Sequence, residues 1–276
     1  MLKRMQFVRH TWFHILVVGI ILFLATERAL VATNNSKLLT VVIVLGAFLL
    51  PVVFTAFIYE RIPAKDIPTS TIIVTFLFGG ALAVVIAAFL EYDTLRKVSL
   101  QNLPAIGLIE ESVKLIVPIA IFLRGRYRSE ADGLLFGIVS GMGFAAIETV
   151  GYGFGALVQS SGNVSSLNET LLLRGLLSPA GHAAWTGLVC AAIWRERECT
   201  GHARLSWAIV GTFILAIALH TAWDAFGTIS TRLSVNLDWL DIIGLAAVAL
   251  VSVSLLIVRI WTVISKKCDA ELAALG

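Results

Sequence analysis

The chain has 276 residues, of which 58% are hydrophobic and only 14% charged, with a net charge of +3. A soluble domain carries roughly 25% charged residues. With a mean hydropathy of +0.90, a water-soluble globule is excluded, and the lipid bilayer is the expected solvent. The three cysteines offer neither a disulfide framework nor a zinc-finger spacing, and no nucleic-acid partner is expected.

A bilayer-spanning helix needs about 20 mostly apolar residues. The sequence predicts about eight, over 12–32, 38–59, 70–90, 103–123, 133–158, 171–194, 205–226 and 239–263. The first has a short apolar run, ends on Glu27 and Arg28, and lacks a convincing small-residue cleavage site, so it reads as a retained helix rather than a signal peptide. Lys3, Arg4, Arg9, Arg61, Lys65, Arg124, Arg126, Arg128, Arg195, Arg197, Arg204, Lys266 and Lys267 fall on one side of these spans. Lys37, Arg96, Lys97 and Arg232 fall on the other. Basic loops stay inside, so both termini are expected in the cytoplasm. Trp12, Trp194, Trp207, Trp239 and Trp261 fall near span ends, where interfacial anchors belong. The expectation is an all-α, polytopic bundle in the cell membrane, forming a single integral membrane domain over 1–276, with a motif-bearing core over 103–226.

Charges at mid-membrane are costly, and persist when paired or when function requires them. Nearly all of them lie in the fourth to seventh spans. The fourth contains Glu110, Glu111 and Lys114. Glu110 and Lys114 are four apart and share a face, whereas Glu111 points about 100° away. A carboxylate held in such a place is a candidate general base. The fifth span places Phe144, Glu148 and Tyr152 on one stripe, with Gly133, Gly137 and Gly141 forming a ladder that admits a close neighbour. The sixth carries His182 just after Pro179, which removes a backbone hydrogen bond and should disturb the helix there. The seventh carries His220 and Asp224 at i, i+4, so the carboxylate is placed to orient the imidazole or to bind a metal with it. Counted inward at about 1.5 Å per residue, Glu110, Glu148, His182 and His220 all lie about 9–17 Å from the outer surface. One shared site is the simplest reason for that agreement.

These residues carry a resemblance. E-E-x-x-K at Glu110, Glu111 and Lys114, F-x-x-x-E-x-x-x-Y at Phe144, Glu148 and Tyr152, an isolated His182, and H-x-x-x-D at His220 and Asp224 occur in the order seen in PrsW intramembrane proteases. The related CAAX-prenyl endopeptidases and bacteriocin-immunity proteases carry E-E-x-x-x-R, F-x-x-x-H and H-x-x-x-N instead. The resemblance implies hydrolysis of a membrane-anchored protein substrate near the extracytoplasmic face, in the setting of regulatory proteolysis. It implies that the two glutamates and His182 are essential.

On this reading Glu110 or Glu111 is the base and Lys114 holds Glu110 ionised. His182, His220 and Glu148 bind Zn2+, with Asp224 beside His220 as an orienting group or a further ligand. His₂Glu is a recognised catalytic zinc shell. The H-E-x-x-H signature is absent, so a metal-free version stands beside it, in which glutamate activates water and the histidines form an oxyanion hole. The rival classes are a proton- or ion-coupled transporter, against which no internal repeat is found, and a non-catalytic membrane binding or immunity protein. The oligomeric state is left open.

Overall fold

Seven helices of the computed structural model are individually long and apolar enough to cross a bilayer, and no strand occurs among the described residues, which are 10–64, 67–95, 101–233 and 238–273. The chain is a multi-pass, all-α membrane protein. In order, the helices are α1 (Thr11–Thr33), α2 (Lys37–Arg61), α3 (Thr69–Leu95), α4 (Leu103–Lys114), α5 (Ile116–Leu123), α6 (Glu130–Gln159), α7 (Val164–Leu177), a π turn (Pro179–Ala183), α8 (Ala184–Thr200), α9 (Trp207–Leu233) and α10 (Asp238–Ala273). The N-terminal basic residues Lys3, Arg4 and Arg9, and Lys65, Arg96 and Lys97, lie outside the described residues.

The expected fourth span is two short helices rather than one. The cause is Pro118, which has no N–H to give to the carbonyl four residues back. That carbonyl belongs to Lys114, and it accepts instead from Ser140 Oγ of α6 at 2.8 Å. The helix therefore breaks at Leu115, one residue beyond the charged motif. The expected disturbance at Pro179 takes the form of a π turn inside an otherwise continuous helical run, Val164–Thr200. π turns are rare and concentrate at functional sites.

α6 is the axis of the bundle, and most of it is buried. A capping box of Ser129 and Asp132 starts it. Its glycines let other backbones come within contact. A Cβ on Gly137 would run into Thr186 and Gly187 of α8, one on Gly141 into the backbone of His182, and one on Gly143 into Phe76 of α3. α1 lies at the periphery. It is tied to α2 by the Thr11 amide donating to Glu60 (3.0 Å), and to α7 by Asn168 donating to Glu27 (3.2 Å). Trp207, Trp239 and Trp261 are exposed at the surface, whereas Trp194 is buried and donates to the Tyr127 carbonyl at 3.0 Å. It is thus a packing residue, not a lipid anchor.

Orientation is open to a direct test. Ser161 lies in the exposed turn between α6 and α7, and Cys199 is exposed at the opposite end of the α7–α8 run. Ser161→Cys is expected to react with an impermeant maleimide on intact cells while Cys199 stays protected. The reverse pattern would invert the topology.

Candidate active site

The break after Lys114 leaves its side chain at the centre of the bundle, fully buried. Its ammonium donates to Glu110 Oε2 (3.1 Å), Glu111 Oε1 (2.8 Å) and His182 Nδ1 (2.9 Å). An ammonium has three donors and no acceptor, so these contacts use it completely. It also sits 4.2 Å from the centre of the Phe144 ring, a cation–π contact. Glu111 is three residues from Lys114, close enough around the helix to share it with Glu110. The two side chains leave the helix about 100° apart, and both reach the same ammonium.

The histidine tautomers follow from these partners. Because Lys114 can only donate, His182 Nδ1 is the acceptor, and in the neutral ring the hydrogen lies on Nε2. That N–H points to Glu148 Oε2 at 3.3 Å. His220 Nδ1 donates to Glu111 Oε1 at 2.8 Å. Its Nε2 faces Glu110 Oε2 and Asp224 Oδ2 at 3.5 and 3.4 Å, longer than ordinary hydrogen bonds. Trp185 stacks on His220 with ring centres 4.9 Å apart and meets His182 at 5.9 Å, so one indole steadies both rings. Trp185 is itself anchored by its Nε1–H on Ser252 Oγ of α10, at 2.9 Å.

Two further charged groups belong to this neighbourhood. Arg174 of α7 donates to Glu148 Oε2 at 2.7 Å and to Thr149 Oγ1 at 3.1 Å, and its guanidinium lies 3.7 Å from the Tyr152 ring centre. An arginine inside a span demands a carboxylate, and that was the available signal. Arg174 sits eight residues before His182 on the same helical run. Glu91 of α3 is buried, close enough to sense the charges of Glu110, Glu148, His220 and Lys114. It lies at the end of a predicted span and gives no motif.

All seven residues expected at the site are therefore brought together in one network with an eighth, Arg174: Arg174, Glu148, His182, Lys114, Glu111 and His220 follow one another in contact, with Glu110 and Asp224 facing the last. They do not present the expected zinc shell in this arrangement. His182 offers an N–H rather than a lone pair to Glu148, Glu148 is neutralised by Arg174, and the Lys114 ammonium lies between the two halves. Among the described residues, no three His, Cys, Asp or Glu side chains are grouped to hold a metal ion.

What the arrangement offers chemically is a buried carboxylate pair, two imidazoles of defined tautomer and a fixed cation, in a water-poor interior. That is equipment for activating water and stabilising an oxyanion. No curated protein and no solved structure matches the chain. Residues 67–258 match the family described as PrsW family intramembrane metalloprotease; with the match covering α3 through most of α10 and the whole charged network, the chain belongs to that family.

Proposed function

We propose that the protein is an endopeptidase that cleaves a membrane-anchored protein substrate near the extracytoplasmic face, with Glu110 as general base. The observation that carries this is the unequal commitment of the two glutamates. Glu111 Oε1 takes both Lys114 and His220, and its side chain is sealed from solvent. Glu110 takes a hydrogen bond from Lys114, lies at the longer distance of 3.5 Å from His220 Nε2, and keeps an accessible edge, its side chain 10% exposed. Glu111 is thus the positioning residue, and Glu110 is the one able to meet a water molecule.

In the step proposed, Glu110 takes a proton from water as the water oxygen bonds to the scissile carbonyl carbon. The carbonyl π pair moves onto oxygen. His182 Nε2–H and the Lys114 charge stabilise that oxyanion. The C–N bond then breaks, and Glu110 returns the proton to the leaving nitrogen. Glu111 holds His220 in its tautomer by taking the Nδ1–H. Incubating the purified protein with a single-span peptide in bicelles, and identifying the products by mass, tests this. Two new termini are expected. An intact peptide, together with proton flux in liposomes, would favour the transporter.

A second reading places Zn2+ on His182, His220, Glu148 and Asp224. It is favoured by the family's description and by formal charge, since the carboxylates of the neighbourhood outnumber its two fixed cations, Lys114 and Arg174. Metal analysis of purified variants separates the cases. Zinc lost in both His182→Ala and His220→Ala supports this ligand set. Zinc kept in His182→Ala moves the ion to the His220 end, and no stoichiometric zinc in the active wild type removes it.

A further inference from the structure

The network is not equally accessible along its length. Lys114 and Glu111 are closed, with side chains 0% and 1% exposed. Those two are the middle of the network; Asp224, at the His220 end, is 26% exposed, and at the opposite end Arg174, Glu148 and His182 are 22%, 20% and 14% exposed. The Arg174 end borders a crevice of about 210 Å³, walled by Arg174, His182, Leu177, Trp185, Trp223 and Leu245.

The crevice exists because of the π turn. Five residues in one wide turn carry His182 to its wall, and Gly181, also on the wall, contributes no side chain to fill it. The remaining walls are two indoles, three leucines, one of them from α10, and Ser178. An apolar cavity of about 150 Å³ already takes a benzene ring. This one has room for a branched aliphatic or aromatic side chain, and two of its lining residues, Arg174 and His182, belong to the network.

We infer that this crevice is a specificity subsite, receiving a large apolar side chain of the substrate next to the scissile bond. The inference rests on the endopeptidase reading. Seating that side chain between Trp185, Trp223 and Leu245 brings the adjoining peptide group alongside His182 Nε2–H. Leu245 is apolar and belongs to α10, which carries none of the residues assigned to the catalytic machinery, so it can be altered without entering that machinery.

The test uses the full-length protein and single-span peptides that differ only at the residues flanking the cleavage site, with Leu, Phe or Ala at each in turn. Wild type is expected to favour Leu or Phe over Ala at one position by about tenfold or more in kcat/KM, the range for a few methylenes in an apolar pocket. Leu245→Trp should fill the crevice and bring that ratio within about threefold of unity. Leu245→Ala should move the preference from Leu toward Phe. Ratios within one variant are insensitive to how much of it is folded. Cleavage by wild type with no preference, or with a preference that Leu245→Trp leaves intact, overturns the subsite while the endopeptidase reading stands. Failure of wild type to cut any of the peptides overturns both.

Discussion

Glu110→Gln should lower turnover of a single-span substrate by about 10²-fold or more, while the variant still inserts, folds and binds that substrate. A positioned general base contributes about 10²–10⁴-fold, and the amide cannot accept the proton. Its carbonyl oxygen can still take the Lys114 hydrogen bond made at 3.1 Å, so the packing has no reason to change. The pH profile distinguishes this role from a structural one. A base must be deprotonated to act, so wild-type activity falls as the medium becomes acidic, and the residual activity of Glu110→Gln should lose that dependence. Glu111→Gln should also be slow, because the amide cannot hold Lys114 and His220 as a charged oxygen does. It should nevertheless keep the acid limb. Glu110→Gln turning over within about tenfold of wild type would end its assignment as base, and an acid limb that vanished in Glu111→Gln instead would transfer the role to Glu111.

Lys114→Met is expected to be the most damaging single change to stability. Methionine matches the unbranched stem but removes a buried ammonium with three partners. Removing one member of a buried charge pair costs about 3–5 kcal/mol, because the other is left uncompensated. Here two carboxylates are stranded together, where the bilayer interior supplies little water. A large drop in the thermal midpoint of the detergent-solubilised protein is the expected reading. The double variant Lys114→Met/Glu111→Gln should recover part of it, with a coupling of about 0.5–3 kcal/mol, as for contacting residues. Lys114→Met as stable as wild type would show that the ammonium is not what holds the carboxylates in place.

Much of the architecture was legible because a bilayer imposes a length on every span and a penalty on every charge. The spans, the pairing of Glu110 with Lys114 and the disturbance at Pro179 all follow from spacing along one helix. What was not legible depends on how helices turn toward one another. α6 is buried on nearly every side, so it shows no polar face to reveal that Glu148 meets Arg174. The expectation that Glu148 serves as a metal ligand rested on residue type, depth and motif, none of which reveals the arginine on another span that pairs with it. The division of the fourth span was written in Pro118, but its effect depended on whether the freed carbonyl had a partner, and that partner, Ser140, is on another helix. The burial of Trp194 likewise depends on a carbonyl contributed by the loop before α6.

The contacts of Gly137 and Gly141 with the α8 backbone and His182 have a consequence for variation in this protein. Where two helix axes are spaced by main chain against main chain, no side chain acts as a spacer, and no rotamer change can absorb an added atom. The gap between Glu148 and His182 is then set by a hard stop. Trimming apolar residues around it should be tolerated in a graded way, whereas one extra methyl at Gly141 should push the two halves of the network apart. Natural or laboratory drift in this chain should therefore be lopsided, permissive toward loss of volume on the lipid-facing side of the bundle and closed to gain of volume along this seam.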